Sequence, residues 1–118
     1  MRSILILTVL LCGFADLAEA NCTVPRWRFI WDVETNGYMT TDGAPCRMRL
    51  VRVGRTGEIH SVKIASPPRN GAASASGHLV NYKPKAGFKG EDSFVFAIDG
   101  RRNGSPVHAT VRVSVTAQ

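Results

Sequence analysis

The stretch VHATVRVSVT, at residues 107–116, places an apolar side chain at every second position. Its odd-numbered residues are Val or Ala, and its even-numbered residues are polar or charged. A period of two predicts a β-strand that buries one face and exposes the other. The stretch therefore predicts a long strand, and an all-β domain if its neighbours keep the same rhythm.

Most of the chain after residue 20 keeps that rhythm. Period-two patterns predict strands over 27–33, 46–50, 59–64, 78–83 and 94–98, and a short edge strand over 72–76. No segment has a helical apolar stripe of useful length. Six to eight short strands at this spacing predict an antiparallel β-sandwich, which we place at about seven strands.

Turn residues separate the predicted strands. Asn36-Gly37 and Asp42-Gly43 are typical of turns, and residues 99–105 predict a long hairpin connection. The apolar phase slips by one residue at Leu50-Val51, which predicts a β-bulge.

Length and composition restrict the class of protein. The chain has 118 residues, of which 44% are apolar and 20% charged, so it is neither disordered throughout nor long enough for two full domains. Lys and Arg number 15 against 9 Asp and Glu. The excess of positive charge favours an anionic partner.

The first twenty residues have the organisation of a secretory signal. Arg2 precedes an apolar run over 4–14, and Ala18-x-Ala20 supplies small residues for a signal peptidase. We predict a signal peptide over 1–20, cleavage after Ala20, and a single domain over 21–118 in the periplasm or the medium. A membrane anchor is an alternative, although the run is shorter than the ~20 residues that span a bilayer. A lipoprotein through Cys12 is another, although Leu11 before it is bulky.

Two cysteines, Cys22 and Cys46, follow the predicted cleavage site. An isolated pair in an oxidising compartment is most simply one disulfide, and two free thiols are the alternative. The cysteines and three scattered histidines show no metal-ligand spacing.

The second half carries an ordered series of motifs. They are PPRNG at 67–71, VNYKP at 80–84, GFKGEDSF at 87–94, IDG at 98–100 and ATVRV at 109–113. Over about residues 66–115 the series resembles the bacterial Ig-like domains, of cadherin-like and tandem-repeat type, of large bacterial surface proteins. The resemblance implies an Ig-like sandwich and leaves activity open, because one fold hosts many functions.

The resemblance also implies roles for single residues. Tyr82 points its ring inward, Gly87 and Gly90 permit a tight loop around Phe88, and Asp92 accepts hydrogen bonds at the start of a strand. In tandem repeats of this family the Asp-Gly turn often lies near a calcium site between domains. Here Arg101 and Arg102 follow Asp99 and put cations where calcium needs oxygens. We therefore predict no metal, with Asp92 or Asp99 as a weak calcium ligand in the alternative.

Residues with catalytic chemistry are few. Ser74 and Ser76 lack a Gly-x-Ser-x-Gly frame, and no nucleotide phosphate loop is present. His60, His78 and His108 fall on predicted strands. Glu91 and Asp92 are adjacent, so their side chains point to opposite faces of a strand and do not form a glycosidase pair. We predict no enzymatic activity and no cofactor.

Arginines alternate with apolar residues on two predicted strands. If these strands share a sheet, the side chains form one cationic stripe, made of Arg26, Arg28, Arg47, Arg49 and Arg52. A second cluster, Arg101 and Arg102, lies in the predicted hairpin connection. Such a stripe suits an anionic polysaccharide, a phosphorylated lipid headgroup or nucleic acid. The alternative is that the charges only keep strand edges from aggregating. Trp27 and Trp31 are interpreted as core residues, with a sugar-binding pair as the alternative.

The sequence thus favours an exported, non-catalytic binding module of the cell envelope that contacts an anionic partner. A structural or accessory subunit that pairs with an envelope protein by strand addition is the second hypothesis. An enzyme whose site the sequence does not reveal is the third.

Overall fold

The computed structural model describes residues 20–50 and 57–118. Within these ranges the chain forms β-strands and no helix, which confirms the predicted all-β class. The strands, numbered along the chain, are β1 (Cys22–Thr23), β2 (Glu34–Thr41), β3 (Cys46–Arg49), β4 (Glu58–Ser66), β5 (Gly71–Ser76), β6 (Leu79–Pro84), β7 (Gly90–Arg102) and β8 (Ser105–Ala117).

The strands form two sheets. A five-stranded sheet has the order β1-β2-β8-β7-β4, and a three-stranded sheet has the order β3-β6-β5. With β2 counted as strand A, these orders place C-F-G in one sheet and B-E-D in the other, as in an immunoglobulin-type sandwich, except that strand A lies beside G and not beside B. The predicted sandwich is therefore the observed architecture.

One pairing departs from the predicted antiparallel arrangement. β2 lies parallel to β8, from Glu34 beside Thr110 to Thr41 beside Ala117. The two strands are far apart in the chain, so no hairpin forces them to run in opposite directions. The chain reverses just before β2, at Asp32, whose φ of 63° is tolerated by Asp better than by most residues.

β7 and β8 supply much of the core. The predicted alternation of 107–115 is confirmed, since Val107, Val111 and Val115 are all at most 5% exposed. From the three-stranded sheet, Tyr82 stacks its ring on Phe94 of β7 at a centroid distance of 5.7 Å. Both rings are buried, so this contact joins the two sheets at the centre of the sandwich.

The predicted strand over 27–33 is wrong, although its burial pattern is right as far as Trp31; Val33, expected on the same apolar face, is 47% exposed. Phe29 and Trp31 are each 8% exposed, and their rings meet at 5.1 Å. Trp27 meets Phe96 of β7 edge to face at 5.8 Å, and Trp31 covers Gly100 further along the same strand. The segment crosses the inner face of β7 instead of lying beside a strand. Over 27–31 it buries alternate side chains without joining a ladder, and the backbone bonds to β8 begin at Asp32 and Val33.

Two turn predictions also need correction. Asn36-Gly37 lies inside β2, where a side chain at Gly37 would come within 2.9 Å of the Met48 methyl group. The connection over 99–105 is short, because β7 continues to Arg102 and β8 begins at Ser105. Asn103 and Gly104 form a two-residue turn with φ values of 52° and 80°. Asp42-Gly43 does form a bend, as predicted.

A disulfide joins Cys22 to Cys46, as predicted, with a Cα–Cα distance of 5.4 Å. Cys22 lies in β1 of the five-stranded sheet and Cys46 in β3 of the three-stranded sheet. The bond therefore ties the two sheets together near the start of the domain.

Three predictions lie outside the described residues. They are the signal sequence up to residue 19, the bulge at Leu50-Val51 and the position of Arg52. Among the described residues, no helix is long and apolar enough to cross a membrane.

Candidate anion-binding face

The outer face of the three-stranded sheet is built by the pairing of β3, β6 and β5. The register places Arg47 beside Asn81 and Asn81 beside Ser74. Neighbours in an antiparallel ladder point to the same side of a sheet. The outward residues, which we call the cationic face, are Arg47, Arg49, Ala72, Ser74, Ser76, Leu79, Asn81 and Lys83.

The inward residues explain why these side chains point outward. Cys46, Met48, Val80 and Tyr82 are at most 1% exposed and form the core side of β3 and β6. Because successive side chains alternate across a strand, the residues between them must face solvent. Apolar burial thus fixes the orientation of the arginines.

The cationic face carries three positive charges and no carboxylate. Arg47, Arg49 and Lys83 are exposed, and none of them makes an ion pair with a described residue. Arg47 and Arg49 are two residues apart on β3, which separates their Cα atoms by about 7 Å, and β6 lies about 4.8 Å away. The charges therefore form one group on a flat surface.

The opposite face of the molecule is balanced in charge. Pairing in the five-stranded sheet puts four acidic residues and three Lys or Arg on its outer side, namely Glu34, Glu58, Glu91, Asp99, Lys63, Arg101 and Arg112. Arg112 Nε lies 3.6 Å from Glu34 Oε1, and His108 contacts Asp99. The acidic residues on this side therefore lie among cations, whereas the cationic face has no carboxylate to offset its charges.

The other predicted arginines lie elsewhere. Arg26 and Arg28 are exposed in the segment before β2, where with Trp27 they line an open depression of about 440 Å³. Since this segment is not a strand, the condition for one stripe across a shared sheet is not met. Arg101 donates to the carbonyl oxygen of Gly104 at 3.1 Å and holds the β7–β8 turn, while Arg102 is exposed beside it.

Lys83 is a member of the cationic face that the sequence interpretation missed. Its outward position follows from Tyr82, which points into the core. The signal was present in the alternation of 78–83. The local pattern did not contain the pairing of β6 with β3, which joins residues 30 to 36 positions apart.

Asp99, His108 and Ser61 meet on the outer side of the five-stranded sheet. Asp99 contacts His108 Nδ1, and Ser61 Oγ lies 3.5 Å from Asp99 Oδ2. The hydrogen bond with His108 is the main cause that holds the pKa of Asp99 below its ordinary value, and the charges of His108 and Lys63 act in the same direction. The carboxylate stands between serine and histidine, whereas a hydrolase needs the histidine between them.

Asp92 has a structural role, as the resemblance implied. Its carboxylate accepts the backbone N–H groups of Arg69, Asn70 and Ser93 at 2.9–3.1 Å and the Tyr82 hydroxyl at 2.9 Å. Burial and this bond to a carboxylate raise the pKa of Tyr82. The four donors join the loop after β4 to β6 and β7.

The remaining candidates are dispersed. His60 contacts Glu58 at 3.2 Å, and both side chains are exposed. His78 lies in the β5–β6 turn and not in a strand, and its carbonyl oxygen accepts the N–H of Leu50 at 2.8 Å. Trp31 is buried and Trp27 is half-buried, so both contribute to the core as interpreted. In the described part of the chain, no three His, Cys, Asp or Glu side chains are grouped as metal ligands would be.

The chain was also compared with known proteins. No protein-family model matches it, and a search of curated proteins finds no match.

Proposed function

We propose that this protein is an exported, non-catalytic binding module of the bacterial cell envelope that contacts an anionic partner through the cationic face. The observation that carries the proposal is the grouping of Arg47, Arg49 and Lys83 on a face that has no carboxylate. Arginine forks bind carboxylate, sulfate and phosphate groups in a bidentate manner, and an adjacent lysine adds charge. The proposed partner is therefore a polyanion or a surface that carries many anionic groups.

The proposal predicts that binding depends on salt. The purified protein should bind an anionic matrix and not a neutral matrix of the same polymer. It should elute as ionic strength rises to about 1 M, where screening acts within about 3 Å. Equal retention by the neutral matrix, or retention that salt leaves unchanged, would contradict a role for charge.

Export is part of the proposal. Its supports are the signal-like residues 1–20 and the Cys22–Cys46 disulfide, which is a type of bond found mainly in oxidising compartments. N-terminal sequencing of the protein recovered from periplasm or medium should begin at Asn21. A chain that still begins at Met1 would argue against processing by signal peptidase.

The proposed relationship to bacterial Ig-like domains rests on two supports. One is the strand order of the sandwich, and the other is the Asp92 hydrogen-bond set within the GFKGEDSF motif.

A second candidate is an accessory subunit that accepts a strand from an envelope protein. The observation that favours it is the edge of β5: among residues 20–50 and 57–118 its one pairing strand is β6, and it carries no charged residue or proline from Gly71 to Ser76. By contrast, the edge of β4 carries Lys63 and two irregularities in its pairing with β7, devices that discourage strand addition.

The variant Ser74→Lys separates the two candidates. A lysine there adds a cation to the cationic face and also places a charge on the β5 edge. If the protein binds a polyanion, retention on the anionic matrix should increase. If it accepts a strand, co-purification with an envelope protein should be insensitive to salt in the native protein and should decrease in the variant.

A further inference from the structure

The cationic face lacks the side chains that insert into a membrane interface or stack on the bases of a single strand. Its eight members include no aromatic residue, and its one large apolar member, Leu79, is half-buried. Proteins that lie in a membrane interface insert aromatic or large apolar side chains. Sites for single-stranded nucleic acid stack bases on aromatic rings. The face offers neither kind of contact.

Its polar members offer hydrogen bonds beside the charges. Asn81 lies next to Arg47 in the ladder, and Ser74 lies next to Asn81 on β5. An amide both donates and accepts, and so does a hydroxyl. The outward residues of β5, including Ala72 and Ser76, have short side chains, so they leave room above this part of the sheet for a ligand. A ligand polymer in which acidic groups alternate with hydroxyl groups could pair the acidic groups with the cations and the hydroxyl groups with these polar side chains.

We propose that the cationic face binds an extended anionic polysaccharide that lies across β3, β6 and β5. Arg47 and Arg49 hold its carboxylate or sulfate groups, Lys83 adds charge at one end, and Asn81 and Ser74 hydrogen-bond its hydroxyl groups. This inference rests on the proposed function and narrows the anionic partner to a glycan.

The test compares a polyuronate oligosaccharide with vesicles that contain phosphatidylglycerol, both at low salt. The variant Arg47→Gln/Arg49→Gln removes two charges from the cationic face. The control Lys63→Gln/Arg112→Gln removes two charges from the outer side of the five-stranded sheet. The net charge is the same in both variants, so a difference between them reports position. Circular dichroism and the urea midpoint establish that both are folded.

We expect the native protein to bind the oligosaccharide and the first variant to bind it on the order of tenfold more weakly, as the loss of charge-assisted hydrogen bonds predicts. The control should stay within about twofold, as expected for charges far from the ligand. Binding to the vesicles alone would overturn the glycan inference and leave an anionic partner in place. An equal loss in both variants would show that the cationic face is not the binding surface, and it would overturn the proposed function together with the glycan inference. Failure to bind either probe at low salt would overturn the proposed function itself.

Discussion

Among single side chains, Asp92 shows how a polar group can hold a β-sandwich together. Three backbone N–H groups and one phenol converge on its carboxylate, at the place where the chain passes from one sheet to the other. Removing the charge would leave the phenol of Tyr82, which is fully buried, with a weaker acceptor. A hydrogen bond to a charged group contributes about 1.5–3 kcal/mol to the stability of a protein.

We therefore predict that Asp92→Asn lowers the free energy of unfolding by about 2 kcal/mol. The asparagine amide keeps the size of the side chain, but its NH2 group replaces one carboxylate oxygen and must face at least one of the four groups that now donate to Asp92. Urea unfolding followed by tryptophan fluorescence measures the change. Glu91→Gln is the matched control, since Glu91 is exposed and points to the other side of β7. Equal stability of the two variants would contradict the role given to Asp92.

The contact between His108 and Asp99 predicts a dependence on pH. The pKa of Asp99 is lower in the folded protein than in the unfolded chain, chiefly because of its hydrogen bond with His108. Such a group stabilises the fold above the unfolded pKa of about 3.9 and loses that contribution as pH falls through the folded value.

His108→Thr should reduce the loss of stability between about pH 5 and pH 2, because the variant lacks the bond that lowers the pKa of Asp99. The measurement is the urea midpoint at each pH. His60→Thr, which changes an exposed histidine that contacts Glu58 and not Asp99, should keep the native profile. If both variants follow the native curve, the contact does not contribute to acid stability.

At the next scale, the strands β4 and β7 pair closely because Gly100 has no side chain. A Cβ at this position would overlap the carbonyl oxygen of Glu58 and would lie 2.7 Å from the Trp31 ring. The segment with Trp27, Phe29 and Trp31 depends on the same gap, because its last ring covers Gly100. The absence of a side chain at Gly100 thus allows both the close approach of β4 and the packing of the Trp31 ring.

Gly100→Ala should lower the free energy of unfolding by more than about 2 kcal/mol, since backbone atoms cannot move aside as side chains do. Thermal unfolding followed by circular dichroism is the measurement. Gly37→Ala in β2 is the control: there the added methyl group meets the flexible end of Met48 at 2.9 Å. We expect a smaller loss for Gly37→Ala, and the reverse order would show that the close pairing at Gly100 is not required.

The strands also show what a local pattern can and cannot predict. Alternation correctly predicted which side chains of 27–31 are buried, because burial requires only an apolar surface to cover. Alternation does not show whether a neighbour offers backbone partners, so the same pattern predicts a strand where the chain forms none. The turn at Asn103-Gly104 could have been found, since Asn-Gly is typical of two-residue hairpins.

The cationic face was predictable only in part for the same reason. Arg47 and Arg49 were correctly expected on one side of a strand, because Cys46 and Met48 require the other side. Their grouping with Lys83 depends on β3–β6 pairing, and the separation of Arg26 and Arg28 depends on the path of an irregular segment. Neither is encoded in a short stretch of sequence.

For the molecule as a whole, the Cys22–Cys46 disulfide connects the two sheets. It closes a loop of 24 residues, for which loop-closure entropy gives about 3 kcal/mol of stabilisation. We predict that reduction, or the double variant Cys22→Ser/Cys46→Ser, lowers stability by about that amount. Urea unfolding with and without reductant measures it. The double variant should not respond to reductant, and an unchanged native protein after verified reduction would contradict the prediction.

The two outer faces of the sandwich differ in their charged residues. One face pairs its charges internally, and the other leaves three cations without a carboxylate. This asymmetry is the basis of the proposed binding role, because the sheet places the backbone of all three cationic residues on one face.

The most direct measurement is a titration of the isotope-labelled protein with polyuronate oligosaccharide, followed through the backbone amide signals. We predict shifts at Arg47, Arg49, Asn81 and Lys83, with little change at Arg112 and Ser114 on the opposite sheet. Shifts centred on β7 and β8, or no shifts at low salt, would contradict the assignment of binding to the cationic face.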